Sequence, residues 1–149
     1  DRAVIVAMHC HEGVYVEDED AVSTETPLDP DSLGTLIRHA LGRSEWRAAD
    51  AWQARSPREW PAFRVSRMRT VKSFEQEYIR VSVCGANQAN IAWVIEGYPS
   101  KDAELRVTAT VTDRLDSSTG LGEKVLRVYH ACREWPFHYL HKSSVGRPM

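Results

Sequence analysis

The chain has 149 residues, 42% of them hydrophobic and 27% charged, with a formal net charge of −2. These values fit one globular domain with a sizeable core; they exclude a disordered chain and the strong basic excess of a typical nucleic-acid binder. No apolar run approaches a membrane span, and nothing reads as a secretory signal. Three widely spaced cysteines, Cys10, Cys84 and Cys132, fit free thiols in a reducing cytoplasm better than a disulfide framework.

Ala3–Cys10 (AVIVAMHC) is rich in β-branched residues and apolar at nearly every position. It reads as a strand buried on both faces, central in a sheet. Glu12-Gly13 is a turn signal, and Val14–Val16 reads as the partner strand of a hairpin. That strand runs into Glu17-Asp18-Glu19-Asp20, four consecutive acids that cannot be buried together and must be solvated or face a cationic partner. Ala21–Thr26 reads as a polar connector.

The clearest helix follows. Asp29 is a natural N-cap, Pro30 suits the first helical position, and Asp31 complements the helix dipole. Leu33, Leu36, Ile37, Ala40 and Leu41 keep helical spacing, and Gly42 marks the stop with Arg43 beside it. A short helix is expected over Glu45–Ala54, ended by Ser56-Pro57, and another near Val71–Glu77. Tyr78–Cys84 alternates, with Ile79, Val81 and Val83 on one face. With Asn90–Glu96 it forms an expected hairpin. Gly97–Asp102 reads as a loop, and Leu105–Thr112 alternates throughout, as a strand with one wet face does. Thr119–Trp135 is the second main helix, with Leu121, Val125, Val128 and Cys132 as its apolar stripe, Ser117–Thr119 as caps and Pro136 as its stop. Phe137, Tyr139 and Leu140 have the character to pack back, and the tail frays from about Lys142.

The expected fold is α+β: a mostly antiparallel sheet of about five strands with two main helices packed on it, in a single domain. Leu33-Gly34 opens one helix and Leu121-Gly122 the other, while Ser44-Glu45-Trp46 and Arg133-Glu134-Trp135 close them. The echo suggests similar helix packing rather than a repeat.

Candidate chemistry is thin. His9-Cys10-His11 offers zinc-type ligands, but strand geometry puts His9 and His11 on one face and Cys10 on the other. His138 and His141 lie in the tail. A small hydrolase using these histidines is one rival reading. Cys84, at a strand end, and Cys132, on an apolar stripe, look like small core residues rather than nucleophiles. Gly34, Gly120 and Gly122 form no phosphate loop. No metal, cofactor or small-molecule site is expected.

Charge is more informative. Residues 1–31 hold nine acids and one base, Arg2, whereas the remainder holds 12 acids and 18 bases. Such asymmetry marks a surface that meets a charged partner. Glu12, Glu17, Asp18, Glu19 and Asp20 are the candidate partner-binding residues; the plainer alternative is a solvated loop. Conversely, Arg55, Arg58, Arg64, Arg67, Arg69 and Lys72 lie among Trp52, Trp60 and Phe63. Cations interleaved with aromatics can hold single-stranded nucleic acid. A nucleic-acid-binding module over residues 52–72, using Arg64, Arg67, Arg69 and Lys72, is the alternative function; tryptophans filling a core beside a solvated face are its plainer reading.

The run Leu33-Gly34-x-x-Ile37-x-x-Ala40-Leu41-x-x-Ser44, then Ser73-Phe74-Glu75, the strand Arg80-Val81-Ser82-Val83 and the second helix from Leu121-Gly122 to Cys132, resembles the immunity proteins of bacterial contact-dependent growth inhibition, the CdiI family. The resemblance implies a cytoplasmic, non-enzymatic protein that binds the C-terminal toxin domain of a cognate effector, often a nuclease, and blocks its active site. It implies no catalytic residues, and the partner surface is assigned from charge alone.

Overall fold

A computed structural model of the protein describes residues 2–11, 14–44, 56–85, 93–99, 107–111 and 117–134. Among them are seven strands and four α-helices: β1 (Arg2–Ile5), β2 (Met8–His11), β3 (Val14–Glu17), β4 (Val22–Glu25), α1 (Pro30–Leu41), α2 (Pro61–Ser66), α3 (Val71–Glu77), β5 (Arg80–Gly85), β6 (Trp93–Tyr98), β7 (Val107–Val111) and α4 (Ser118–Glu134). A single 3-10 turn, Pro57–Glu59, precedes α2. The protein is α+β, and every strand pair is antiparallel.

The expectation of one sheet of about five strands meets a different arrangement. The described strands form three sheets, β1–β4, β2–β3 and β5–β6–β7. Ala3–Cys10, expected as one central strand, is β1 and β2 separated at Val6-Ala7, and each half has one neighbour. Opposite that break lie Asp18, Glu19, Asp20 and Ala21, because Ile5 pairs with Val22 and Met8 with Glu17. The N-terminal sheets are therefore one long hairpin interrupted by a bulge, with two more residues on the second strand than on the first. Asp18, Glu19 and Asp20 fall in this bulge and take no place in the ladder. The stretch Ala21–Thr26, expected as a connector, contains β4; Arg2 crosses from β1 to bond Ser23 Oγ at 3.1 Å and to pair with Glu25 at 3.6 Å.

The main core lies between the two long helices and the three-stranded sheet. Leu33 and Ile37 of α1, Leu121, Val125, Val128 and Cys132 of α4 and Ile95 of β6 are buried together. Ile79, Val81 and Val83, on the face read from their alternation, pack against this cluster. Burying side chains of this size contributes about 1.5–3 kcal/mol each. Asp29 caps α1 by accepting from Ser32 N at 2.9 Å, and Ser117 caps α4 by accepting from Gly120 N at 3.0 Å.

The two Leu-Gly steps meet each other. A Cβ on Gly34 would collide with the backbone of Ser118, and a Cβ on Gly122 with the backbone of Pro30. The contacts are reciprocal, each helix pressing its glycine onto the first residue of the other. Thr119 Oγ1 donates to Asp31 Oδ1 at 2.9 Å across the same crossing. Gly97 plays the matching part on β6, where a Cβ would strike Cys132 and Val128 of α4.

The expected helix over Glu45–Ala54, the end of the strand at Leu105 and Thr112, and the tail with His138 and His141 lie outside the described residues. Among the described residues no helix is long and apolar enough to cross a membrane.

Candidate functional site

The bulge at Asp18–Ala21 holds three of the five carboxylates singled out from the sequence, and Glu17 leads into it. They do not stand as one solvated cluster. Glu17 Oε2 accepts from the backbone amide of Ala62 at 2.7 Å, in the first turn of α2. That amide has no partner within its own helix, so the carboxylate satisfies it. Asp18 is nearly buried, its side chain 11% exposed. One carboxylate oxygen meets His9 Nε2 at 2.7 Å; the other accepts from the Asp20 amide at 2.9 Å and pairs with the Arg43 guanidinium. Its own amide donates to Ala7 O at 2.8 Å, tying the bulge to the break in the opposite strand. Burial works against ionisation of Asp18. The Asp20 amide, His9 and Arg43 together overcome it, and the carboxyl lies below its ordinary range.

The remaining two carboxylates face outward. Asp20 pairs with Arg43 at 2.7 Å while its side chain stays 73% exposed. Glu19 lies 3.9 Å from Arg64 at 62% exposure. Glu12 lies outside the described residues. The partners of the acidic run are thus found in the chain itself. His9 is 1% exposed and Arg43 stands just past the end of α1. Sequence reading named both residues without joining them to Asp18. The available signal was Arg43 itself, a base at the end of the helix that follows the acids.

Of the His9-Cys10-His11 fragment, His9 engages Asp18, and among the described residues no three His, Cys, Asp or Glu are placed to share an ion. All three cysteines are free. Cys132 is fully buried, and burial pushes its thiol pKa up, which keeps it protonated and inert. Cys84, expected in the core, is exposed at the end of β5, where its thiol donates to Val94 O at 3.8 Å.

On α2 and α3 the basic segment forms a second surface. Arg58, Phe63, Arg69, Thr70, Val71 and Lys72 line an open cleft of about 470 Å3. Phe63 packs edge-on to Phe74 with ring centroids 5.8 Å apart, and Phe74 meets Tyr78 at 5.0 Å, so the aromatic wall is braced from behind. Trp60 is half-buried at the start of α2 and does not line this cleft; Trp52 and Arg55 lie outside the described residues.

No family model, curated protein or solved structure matches the chain.

Proposed function

We propose that the protein is a non-enzymatic neutraliser of a toxin domain, an immunity protein of the contact-dependent growth inhibition type, and that it acts in the cytoplasm. The observation that carries the reading is the acidic bulge. Its base is fixed by Glu17 of β3, which accepts from the Ala62 amide of α2, and by Asp18 between His9 and Arg43, and its crest presents Glu19 and Asp20 to solvent. A loop already held in one conformation loses little freedom when it docks. Two outward carboxylates complement the basic surface of an enzyme that acts on a polyanion, adding attraction and association rate. Within the five acidic residues, Glu19 and Asp20 take the role of contact residues and Glu17 and Asp18 that of positioning residues; Glu12 remains in the assigned surface by charge.

The test is an affinity series with the toxin domain of a cognate effector, sought among the genes neighbouring this one. Changing Glu19→Ser and Asp20→Asn together should weaken binding about tenfold, the equivalent of about 1.4 kcal/mol, and flatten its dependence on salt. Unchanged affinity would remove the bulge from the interface. Failure of the wild-type protein to bind or to protect cells from the toxin would overturn the function itself.

A further inference from the structure

We infer that the cleft between α2 and α3 is a binding site for single-stranded nucleic acid, separate from the acidic bulge. Its chemistry differs from everything around it. Residues 56–72 carry five bases, Arg58, Arg64, Arg67, Arg69 and Lys72, against one acid, Glu59, in a protein that is net negative. Three of these bases, Arg58, Arg69 and Lys72, come from three separate pieces of backbone: the 3-10 turn, the loop after α2 and the start of α3. All three are exposed, and among the described residues none enters an ion pair. Charges of one sign that converge without partners repel one another. That cost is recovered when an anion arrives.

The cleft also has an apolar component, which distinguishes it from a merely solvated basic face. Phe63 and Val71 line the same cleft as the cations. Phe63 is half-buried and fixed by its contact with Phe74, so it offers a rigid ring rather than a mobile one. A ring in one cleft with guanidinium and ammonium groups suits a ligand that alternates flat apolar units with negative charges. In a nucleic-acid strand, bases can stack on the ring while phosphates meet the cations. An acidic peptide supplies the charge without the flat faces. Arg67, at the C-cap of α2, is also exposed and adds a further base to the same segment, whereas Arg64 is turned to Glu19 of the bulge and is left out of the site. Single-stranded rather than duplex nucleic acid follows from the ring, because paired bases keep their faces stacked on each other.

Fluorescence anisotropy with a labelled single-stranded RNA or DNA dodecamer, titrated at several salt concentrations, tests the site. The full chain should bind, with affinity falling steeply as salt rises. The double variant Arg69→Ala with Lys72→Ala should lower the slope of log K against log salt by about 1.4, from roughly 0.7 per lost phosphate contact. Phe63→Leu keeps an apolar group against Phe74 and should weaken binding about fivefold to tenfold with the slope unchanged, since stacking of one base is worth about 1–3 kcal/mol. Circular dichroism of each variant checks that the fold is retained. Absence of salt-sensitive binding by the wild type overturns the inference. So does equal binding of polyglutamate, or loss of affinity that tracks loss of fold. Toxin neutralisation by the Arg69→Ala, Lys72→Ala variant should be intact, so the two surfaces fail or succeed independently.

Discussion

Asp18 shows why a run of like charges need not be a solvated loop. Its carboxylate takes a buried imidazole, a guanidinium and a backbone amide at once, while its neighbours diverge to other tasks. Replacing Asp18 by Asn keeps the shape but withdraws the charge that balances Arg43. Arg43 keeps Asp20 as a partner and is partly exposed, so the loss is that of one charge-assisted contact set: urea unfolding at neutral pH should show a loss of about 1 kcal/mol. The pH dependence has a definite sign. Because the folded-state pKa of Asp18 is depressed, its stabilisation is complete above the ordinary aspartate value near 3.9 and is lost as pH falls through the lower folded value. Wild-type stability should therefore decline below about pH 4, and the Asp18→Asn variant should show a shallower decline in the same window. A second residue carries local strain. Arg67, at the C-cap of α2, has φ 63°, a left-handed conformation that costs a side-chain-bearing residue about 1 kcal/mol. Arg67→Gly should raise the unfolding midpoint by a corresponding amount, and a lower midpoint would show that the arginine side chain contributes more than its backbone costs.

At the scale of elements, helices were legible where their ends carried signals. Asp29, Pro30 and Gly42 bounded α1 correctly, and the stripe Leu121, Val125, Val128 and Cys132 is buried as its spacing requires. The segment before α3 was harder: α2 is six residues long and too short to express a period, and Pro57 read only as the end of the preceding segment. The Leu-Gly echo was visible but its meaning was not, because sequence spacing does not say which glycine faces which backbone. The crossing makes a contrast that can be measured. Gly34→Ala and Gly122→Ala each gain about 1 kcal/mol of helix propensity but drive a methyl into the backbone of the opposite helix. Backbone cannot swing aside as a side chain can, and the overpacking should cost about 3 kcal/mol net or force the helices apart. Gly42 has φ −63°, and its added Cβ would meet nothing nearer than 3.5 Å. Gly42→Ala should therefore be neutral or stabilising by about 0.5 kcal/mol. Thermal melts of the three variants decide it; equal effects would mean the two helices are not held at backbone contact.

Across the whole molecule, the acidic N-terminal part stands outside the main core and is tied to the rest by charged contacts together with packing on α2. The main core contains none of the residues of β1–β4. The interrupted hairpin instead reaches outward through Glu17 to α2, through Asp18 and Asp20 to Arg43, and through packing of β1 and β4 on α2. The charge asymmetry was plain in the sequence; its internal use was not, since pairing depends on where the bulge lies relative to the end of α1. Arg43 is the pivotal connection, because one guanidinium holds two carboxylates of the bulge beside the helix that enters the core. Arg43→Ala should accordingly loosen the hairpin without opening the core. Native-state hydrogen exchange would show the amides of β2 and β3, and that of Asp18, exchanging about tenfold faster, an opening made easier by about 1.4 kcal/mol. The β5–β6 amides around the buried Ile95 should keep their wild-type rates. Uniform acceleration across both regions would instead mean that the hairpin and the helical core open as one cooperative unit, with Arg43 stabilising the whole rather than the join.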